Sequence, residues 1–341
     1  MSGRSSRAVL PFALSSLYLT FMAMPVQAHH SAAAFNTNDT VEVMGTITEY
    51  SYRNPHVYMT VTVNNGDGIQ REVEVEAGAA SVIAPLGFSR DDLGEGDVVT
   101  VIGNPSRRYA DTLLLGRELY KQDGTYFPLN ISSRSVDDFG DAVADSLAGT
   151  WFPPRTSFFG YLGGANSWPL TPAGQAEVDS FVSTDTTHKD CIPIGTPGLM
   201  VYPVAIGVEV FDDRVVMDVD WLDSVRTIWL DGREHPAGSE KFLLGHSIGH
   251  WEDDVLVVES TNFEQHPMGL TMSLPSSEEK ILTERFELSA DGRQMLYSGT
   301  ISDSQYLAEP VNWESSWVYR PGMPHSTESC DAEAATRFLD D

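Results

Sequence analysis

The feature that most constrains the fold is a regular succession of short β segments and turn dipeptides in the second half of the chain. From Pro203 onward the apolar alternation is interrupted at Asp212-Asp213, Asp231-Gly232 and Asp291-Gly292, which are typical of tight turns. The predicted strands are residues 204–211, 215–220, 224–230, 242–251, 255–261, 280–288, 294–300 and 313–319. About eight successive antiparallel strands predict an up-and-down β-barrel, which removes sheet edges and can hold one small ligand.

A second group of strands lies nearer the N-terminus. The strands are predicted at residues 41–52, 57–63, 71–76, 97–103 and 113–120, with a final segment at 125–129 and a short helix at 79–86. Five strands with a helix between the third and the fourth have the order of a small OB-like barrel. The sequence therefore predicts an all-β protein in which an OB-like barrel precedes an antiparallel, calycin-like barrel.

The composition also predicts where the domains end. We expect an OB-like domain at residues 29–130, a linker rich in Ser and Asp at 131–146, a β-barrel domain at 147–330 and an acidic tail at 331–341. One helix is predicted just after Thr171-Pro172, because Thr is a good N-cap and Pro is favoured in the first turn.

Residues 1–28 have the pattern of a signal peptide. Arg4 and Arg7 precede an apolar stretch over residues 8–25, and Val26-Gln27-Ala28 has the small-residue spacing that signal peptidase cleaves. No later segment is apolar over the roughly 20 residues that a membrane span needs. We expect a mature protein that begins at His29, is periplasmic or secreted, and has no integral membrane association.

The charge balance limits the partners. Without Arg4 and Arg7 the chain has 19 basic and 49 acidic residues, a formal charge of −30. Binding to phosphate backbones depends on Lys and Arg that displace counterions, so we expect no nucleic-acid partner.

Only two cysteines are present, Cys191 and Cys330. In an oxidising compartment two lone cysteines outside a CxxC motif predict one disulfide bond.

Two motifs resemble exported bacterial proteins of unknown function. Residues 245–263 (GHSIGHWEDDVLVVESTNF), preceded by residues 230–236 (LDGREHP), resemble a domain that is common among such proteins. His29-His30-Ser31 together with Asn54-Pro55-His56 resembles a second uncharacterised exported family. Gly149-Thr150-Trp151 resembles the first strand of lipocalin-type barrels, which implies the calycin-like fold. Neither exported family implies a particular chemistry.

The predicted mature N-terminus is a candidate copper site. The α-amine and the imidazole of His29 would form a bidentate chelate suited to Cu(II), and His30 or His56 could complete it. The alternative is a polar leader whose histidines bind nothing, because terminal residues are usually poorly ordered.

His246 and His250 are candidate catalytic residues, together with Glu259 and Asp231. On a strand, the two histidines share a face but lie about 13 Å apart, which excludes one metal ion between them. One of these carboxylates beside a histidine in an apolar cavity would make an acid/base pair. The alternatives are hydrogen-bonded structural histidines and a structural ion-pair network that also includes Glu252, Glu284 and Arg285.

Aromatic and cationic side chains of the second domain are candidate ligand contacts. These are Trp151, Arg226, Trp229, Arg233 and Trp251. The segment from Trp151 to Trp168 is predicted as a loop rich in aromatic residues and glycine, which either closes one end of the barrel or forms a movable lid.

Two classes of function are consistent with these patterns. The first is an exported protein that binds a small apolar molecule in its β-barrel, with a copper site at the N-terminus. The second is an isomerase, cyclase or hydrolase that acts on a lipophilic substrate by His/Glu acid-base chemistry. The chain contains no Gly-rich phosphate loop, GxSxG elbow or SxxK motif, which disfavours nucleotide and common serine-hydrolase chemistry.

Overall fold

The computed structural model describes residues 34–64, 69–131, 141–165, 167–182, 186–326 and 328–337. The predicted signal peptide, the metal candidates His29 and His30, and residues 132–140 of the predicted linker lie outside the described residues.

The first domain is a small closed barrel. Its elements are β1 (Val41–Ser51), β2 (Tyr58–Asn64), β3 (Gln70–Glu76), α1 (Ala80–Ile83), β4 (Val98–Pro105), β5 (Leu113–Lys121) and β6 (Tyr126–Pro128). Strand β1 pairs with both β2 and β4, and β3 closes the barrel by pairing in parallel with β5. This is the predicted OB-like order. Along β3 the valines point into the core and the glutamates away from it, because successive side chains alternate across a strand.

The second domain is a larger closed barrel with helices at its surface. Its elements, with the C-terminal helix, are β7 (Gly149–Phe152), α2 (Arg155–Ala165), α3 (Pro172–Ser180), β8 (Ile206–Val210), β9 (Arg214–Val219), β10 (Ser224–Trp229), β11 (His246–Glu252), β12 (Val255–Thr261), β13 (His266–Thr271), β14 (Leu274–Ser276), β15 (Ile281–Leu288), β16 (Gln294–Ser302), β17 (Val311–Tyr319) and α4 (Ala332–Thr336).

Nine of these strands close the barrel in the order β7-β8-β9-β10-β11-β12-β15-β16-β17. The predicted all-β architecture with a second closed barrel is confirmed, with β7 as the additional strand. One junction differs from the up-and-down pattern, because β10 and β11 run parallel, with Ile228 opposite Ser247. A parallel pair needs a crossover of about a dozen residues, and the segment from 230 to 245 provides it.

Three segments differ from the sequence predictions. The aromatic segment predicted as a loop contains helix α2, and the unpredicted hairpin β13–β14 lies outside the barrel. The predicted acidic tail instead contains α4, whose Ala334 is buried against Phe35 and Tyr58 of the first domain. The helix after Thr171 is confirmed, and the Thr171 hydroxyl accepts a hydrogen bond from the Gly174 amide.

The interior of the second barrel is filled by its own side chains. Trp151 and Trp317 are fully buried, and Trp151 Nε1 donates to the Leu147 carbonyl at 2.8 Å. Arg226 forms a buried ion pair with Glu284 and donates to the Ser260 hydroxyl at 2.9 Å. The Tyr297 hydroxyl donates to Glu284 at 2.7 Å. The interior is therefore a packed core with a paired charge, which contradicts the expectation that it holds a ligand.

The C-terminal segment connects the two barrels. Cys191 and Cys330 form the predicted disulfide, with their Cα atoms 5.8 Å apart. Asn54 of the first domain pairs with Cys330 in an isolated bridge, and its side-chain amide donates to the Glu328 carbonyl at 2.7 Å. Arg90 pairs with the Glu328 carboxylate, and Arg337 with Glu74. The disulfide therefore attaches the second barrel to a segment that is bound to the first.

Within the described ranges, none of the helices combines the length and the hydrophobicity that crossing a membrane would require.

Replacing Glu284 by Gln should destabilise the second barrel by about 3–5 kcal/mol, because the substitution leaves the Arg226 charge buried without a counterion. The free energy of unfolding from urea denaturation measures this loss.

Glu252→Gln is the matched control, because Glu252 pairs with Arg285 on the exposed surface and such pairs contribute about 1 kcal/mol or less. Equal losses for the two variants would contradict a structural role for the buried pair.

Candidate ligand-binding site

A cavity of about 280 Å³ lies between the two barrels. The first barrel contributes His56, Glu76, Val82 and Leu115 to its walls. The second contributes Phe158, His188, Tyr202 and Trp221, and α4 contributes Ala335. The volume is near the lower end of the roughly 300–1,000 Å³ typical of ligand pockets. A mainly apolar cavity with a few converging polar groups at a domain interface is the usual form of a small-molecule site.

The loop that carries His56 is fixed by its neighbour Asn54. The Asn54 side-chain oxygen accepts hydrogen bonds from the Ser81 amide and hydroxyl, both at 3.1 Å, so the loop is attached to α1. On its other side Asn54 binds the C-terminal segment at Glu328. Of the motif Asn54-Pro55-His56, the asparagine is therefore a structural anchor, and the histidine reaches the cavity wall.

His56 contacts a buried carboxyl group. Its Nδ1 lies 3.2 Å from Glu76 Oε1. Burial raises the pKa of Glu76 to about 8, and Glu74 acts in the same direction. Burial lowers the pKa of His56 to about 4, against a backbone hydrogen bond with Ala77 that acts in the opposite direction. At neutral pH both groups of this contact are neutral, and such a pair can exchange a proton with a bound molecule.

His188 and Trp221 form the opposite wall. His188 lies in a 3-10 turn (Thr187–Asp190) that ends at Cys191, so the disulfide holds the turn in place. The His188 ring packs edge-on against Trp221 with centroids 5.2 Å apart, and Trp221 lies against Tyr202 at 4.6 Å. Burial lowers the pKa of His188 to about 4, and the nearby His56 and His266 act in the same direction.

Two polar atoms in this wall have no protein partner. Within the described residues, His188 Nε2 and Trp221 Nε1 are buried without a hydrogen bond. A buried donor or acceptor left unpaired costs about 1–3 kcal/mol, which calls for an explanation. Both residues line the cavity.

The predicted catalytic residues lie elsewhere and do not converge inside the barrel. Ser247 and Ser260 point inward, so His246, His250 and Glu259 lie on the outer face of β11 and β12. The His250 side chain is 66% exposed, and that of Glu259 is 56% exposed. Asp231 is also outside, where its contact with Arg233 lowers its pKa to about 2. The prediction that these residues form an acid/base pair inside the barrel is therefore wrong, because all four lie on its outer surface.

His246 has a different partner on this outer face. Its Nδ1 lies 2.9 Å from Nδ1 of His235, whose Nε2 lies 3.4 Å from Glu259 Oε1. The second distance is an electrostatic contact and not a hydrogen bond, because His235 Nε2 has no hydrogen-bond partner among the described residues.

The five residues predicted to contact a ligand lie in two different places, the barrel interior and the outer surface. Trp151 and Arg226 belong to the packed interior of the second barrel. Trp229 and Arg233 stack on each other outside it at 3.6 Å, and Trp251 is 41% exposed. Among the predicted site residues that the structure describes, only His56 lines the cavity between the barrels. Glu76, His188 and Trp221 were missed, because each reaches the cavity only when the two barrels meet.

Comparison with known proteins gives one family. Residues 18–114 match a family of unknown function (DUF6152). This range includes Asn54-Pro55-His56 and Glu76, but not His188 or Trp221. The match is consistent with the resemblance of the start of the chain to an uncharacterised family. No protein with a curated description matches.

Replacing Glu76 by Gln should change how the stability of the protein depends on pH. A carboxyl group whose pKa rises from 4.5 to about 8 on folding supports the folded state fully below pH 4.5 and loses that contribution as the pH rises through 8. The wild type should therefore lose at most about 3 kcal/mol between pH 4.5 and pH 7 relative to Glu76→Gln.

Urea denaturation of both proteins across this range measures the difference. Parallel stability curves for the wild type and Glu76→Gln would show that Glu76 is ionised in the folded protein at neutral pH.

Proposed function

We propose that the protein is an exported binding protein whose ligand site is the cavity between the two barrels. The ligand is a small uncharged molecule with an apolar body and a hydroxyl or similar group. Export is supported by the signal-like pattern of residues 1–28 and by the disulfide.

The observation that carries this proposal is the pair of unpartnered atoms in the cavity wall. Trp221 Nε1–H can only donate a hydrogen bond, whereas His188 Nε2 accepts one in one tautomer and donates in the other. A ligand hydroxyl that reached both atoms would satisfy them, because its oxygen would accept from Trp221 and its proton would be donated to His188. An apolar molecule of the same size would leave both atoms unpaired.

The apolar part of the ligand would contact the remaining wall. Phe158, Tyr202, Val82 and Leu115 present rings and aliphatic groups to the cavity. Burial of such surface contributes about 25 cal/mol per Å². A charged ligand is disfavoured, because the imidazoles of His56 and His188 resist protonation and Glu76 resists ionisation, and because Lys189 in the same wall is only partly buried.

Calorimetric titration with three molecules of similar shape tests the proposal. At pH 7, 2-naphthol should bind about tenfold more tightly than naphthalene, since one or two hydrogen bonds contribute about 1 kcal/mol each. The anion 2-naphthoate should bind more weakly than 2-naphthol, because Lys189 in the wall is partly exposed to water and offsets only part of the cost of burying a carboxylate.

Two variants assign the site. His188→Phe keeps an aromatic ring in the wall and removes the nitrogen, so it should reduce the preference for 2-naphthol to the part that Trp221 supplies and leave naphthalene binding unchanged. His250→Phe, on the exposed outer face, is the matched control and should alter neither affinity. No binding of 2-naphthol, or an unchanged preference in His188→Phe, would refute the proposal.

A copper site at the mature N-terminus is a second candidate, and it is favoured by one observation. The first described residue, Ala34, belongs to the same buried apolar cluster as Ala334 of α4, whose neighbour Ala335 lines the cavity together with His56. Within the described residues, no group of three or more His, Cys, Asp or Glu side chains could hold a metal ion. His56 fits as a single imidazole ligand, so His29 would have to provide the others.

Adding one residue ahead of His29 tests the copper site, because it separates the α-amine from the imidazole and preserves all nine histidines. The extended protein should lose Cu(II) affinity by orders of magnitude in competition titrations with a chelator. His56→Ala should weaken binding and His250→Ala should not. Equal Cu(II) affinity of the extended and native mature proteins would exclude the N-terminus as the site.

A further inference from the structure

The wall of the second barrel is incomplete beside the first half of β10. This strand pairs with β9 along its whole length, from Ser224 to Trp229, but it pairs with β11 only at Ile228 and Trp229. A groove of about 490 Å³ lies where the pairing with β11 is missing, between the start of β10 and residues 242–247. The groove therefore borders a stretch of β10 that has a strand on one side only.

The register shows which backbone groups face this groove. The Leu230 amide donates to the Asp213 carbonyl at 2.8 Å, and hydrogen-bonded pairs alternate along an antiparallel ladder. The even-numbered residues of β10 therefore bind β9, and Val225, Thr227 and Trp229 direct their backbone groups to the other edge. Among the described residues, the Val225 amide, the Val225 carbonyl and the Thr227 amide have no backbone partner. The groove thus presents two donors and one acceptor of an unfinished sheet edge.

The walls of the groove can receive side chains. They are mainly apolar and include Ile192, Leu222, Trp229, Phe242 and Leu244. Soluble proteins usually protect an open sheet edge, because it pairs readily with another extended chain. An open edge with apolar pockets beside it is the form of site to which a peptide adds as an extra β-strand.

The charge of the groove favours a basic partner. Apart from the disulfide-bonded Cys191, the described residues that line it include two with ionisable side chains, Asp223 and His246. Burial lowers the pKa of His246, and the nearby His235 acts in the same direction, so His246 is mainly uncharged at pH 7. Asp223 therefore supplies the charge of the groove, in a protein whose formal charge of −28 attracts cations at longer range.

We propose that the groove binds an extended, basic segment of another protein, which adds to β10 as a short strand. The segment accepts hydrogen bonds from the Val225 and Thr227 amides, donates one to the Val225 carbonyl, and places a Lys or Arg near Asp223. A second copy of this chain is disfavoured, because two copies of the same negative charge repel each other. The groove shares no lining residue with the cavity between the barrels, so this interaction is independent of the function proposed above.

Amide hydrogen exchange in the mature protein tests the pairing. The probe is the peptide KVTVK with both ends blocked, and two-dimensional NMR follows the exchange in D₂O. At saturating peptide the Val225 and Thr227 amides should exchange at least about tenfold more slowly, because they become hydrogen-bonded. The Arg226 amide faces β9 and is the internal control, so its exchange should not change.

A modified peptide separates backbone pairing from simple adhesion to the apolar walls. KVTVK that is N-methylated at its three central residues keeps its side chains and both charges. It should bind at least about tenfold more weakly, because it cannot donate to the Val225 carbonyl and its methyl groups block the approach of the strand.

Charge variants of the peptide and the protein test the preference for a basic segment. The blocked peptide EVTVE should bind about fivefold more weakly than KVTVK at physiological ionic strength, and Asp223→Asn should remove most of this difference. Asp253→Asn is the matched control, since Asp253 is also an exposed turn residue with a positive φ but does not line the groove. Asparagine is tolerated at positive φ, and unchanged melting temperatures would show that both variants are folded.

Several results would overturn the proposal. These are failure of KVTVK to bind, binding that leaves exchange at Val225 and Thr227 unchanged, equal affinity of the N-methylated peptide, and a charge preference that survives in Asp223→Asn. Slow exchange of both amides without peptide would also overturn it. If that protection appears only at high protein concentration, a second copy occupies the edge, and if it appears at every concentration, another segment of the same chain does.

Discussion

The attachment of the C-terminal segment to both barrels is the constraint on which the rest of the site depends. The disulfide fixes Cys330 beside the turn that carries His188, and Asn54 joins the same segment to the loop that carries His56. Closing a loop of 139 residues stabilises a folded chain by about 5 kcal/mol in the chain-entropy model. That stabilisation arises from the unfolded chain, but in the folded protein the same bond also restricts the relative position of the two barrels, since Cys330 lies in the segment bound to the first. The histidines thus meet at one cavity although they belong to different domains.

Closure of the barrels also explains why the site lies between them. A nine-stranded barrel has room for a small ligand, but here Trp151, Trp317 and the pair Arg226–Glu284 occupy that room. A buried ion pair usually contributes little net stability, because the cost of desolvating two charges offsets their attraction. Its effect is instead to make the interior unsuitable for an apolar guest, which would have to displace a hydrogen-bonded network that includes Ser247, Ser260 and Tyr297. The apolar cavity is left at the domain interface.

Local patterns in the sequence predicted the fold better than the site. The alternation along β3 and the turn dipeptides of the second half depend on neighbours a few residues away, so the strands and both closed barrels could be predicted. Glu76 continues the outward series of Glu72 and Glu74, and nothing local indicates that the second barrel covers it. His188 lies in an irregular segment without periodicity. The parallel pairing of β10 and β11 depends on where a long connection returns, and the helical state of α2 depends on packing against the barrel, because its aromatic and glycine content resembles a loop.

The electrostatics of the cavity are decided locally and not by the charge of the whole protein. A formal charge of −28 suggests selection against anions at long range, but at physiological salt the Debye length is about 8 Å, so distant surface carboxylates are largely screened. Burial removes water from around the ionisable groups of the cavity, and dissolved salt does not screen this effect. It raises the pKa of Glu76 to about 8 and lowers those of His56 and His188 to about 4, so the three groups are neutral together near pH 7.

One unit of pKa corresponds to about 1.4 kcal/mol, so charging any of these groups at neutral pH costs more free energy than a typical surface ion pair contributes. An anionic ligand would need one of the histidines protonated or the partly exposed Lys189 as its counterion, and a cationic ligand would need Glu76 ionised. An uncharged molecule requires neither, which is the physical reason to assign the cavity to an uncharged head group.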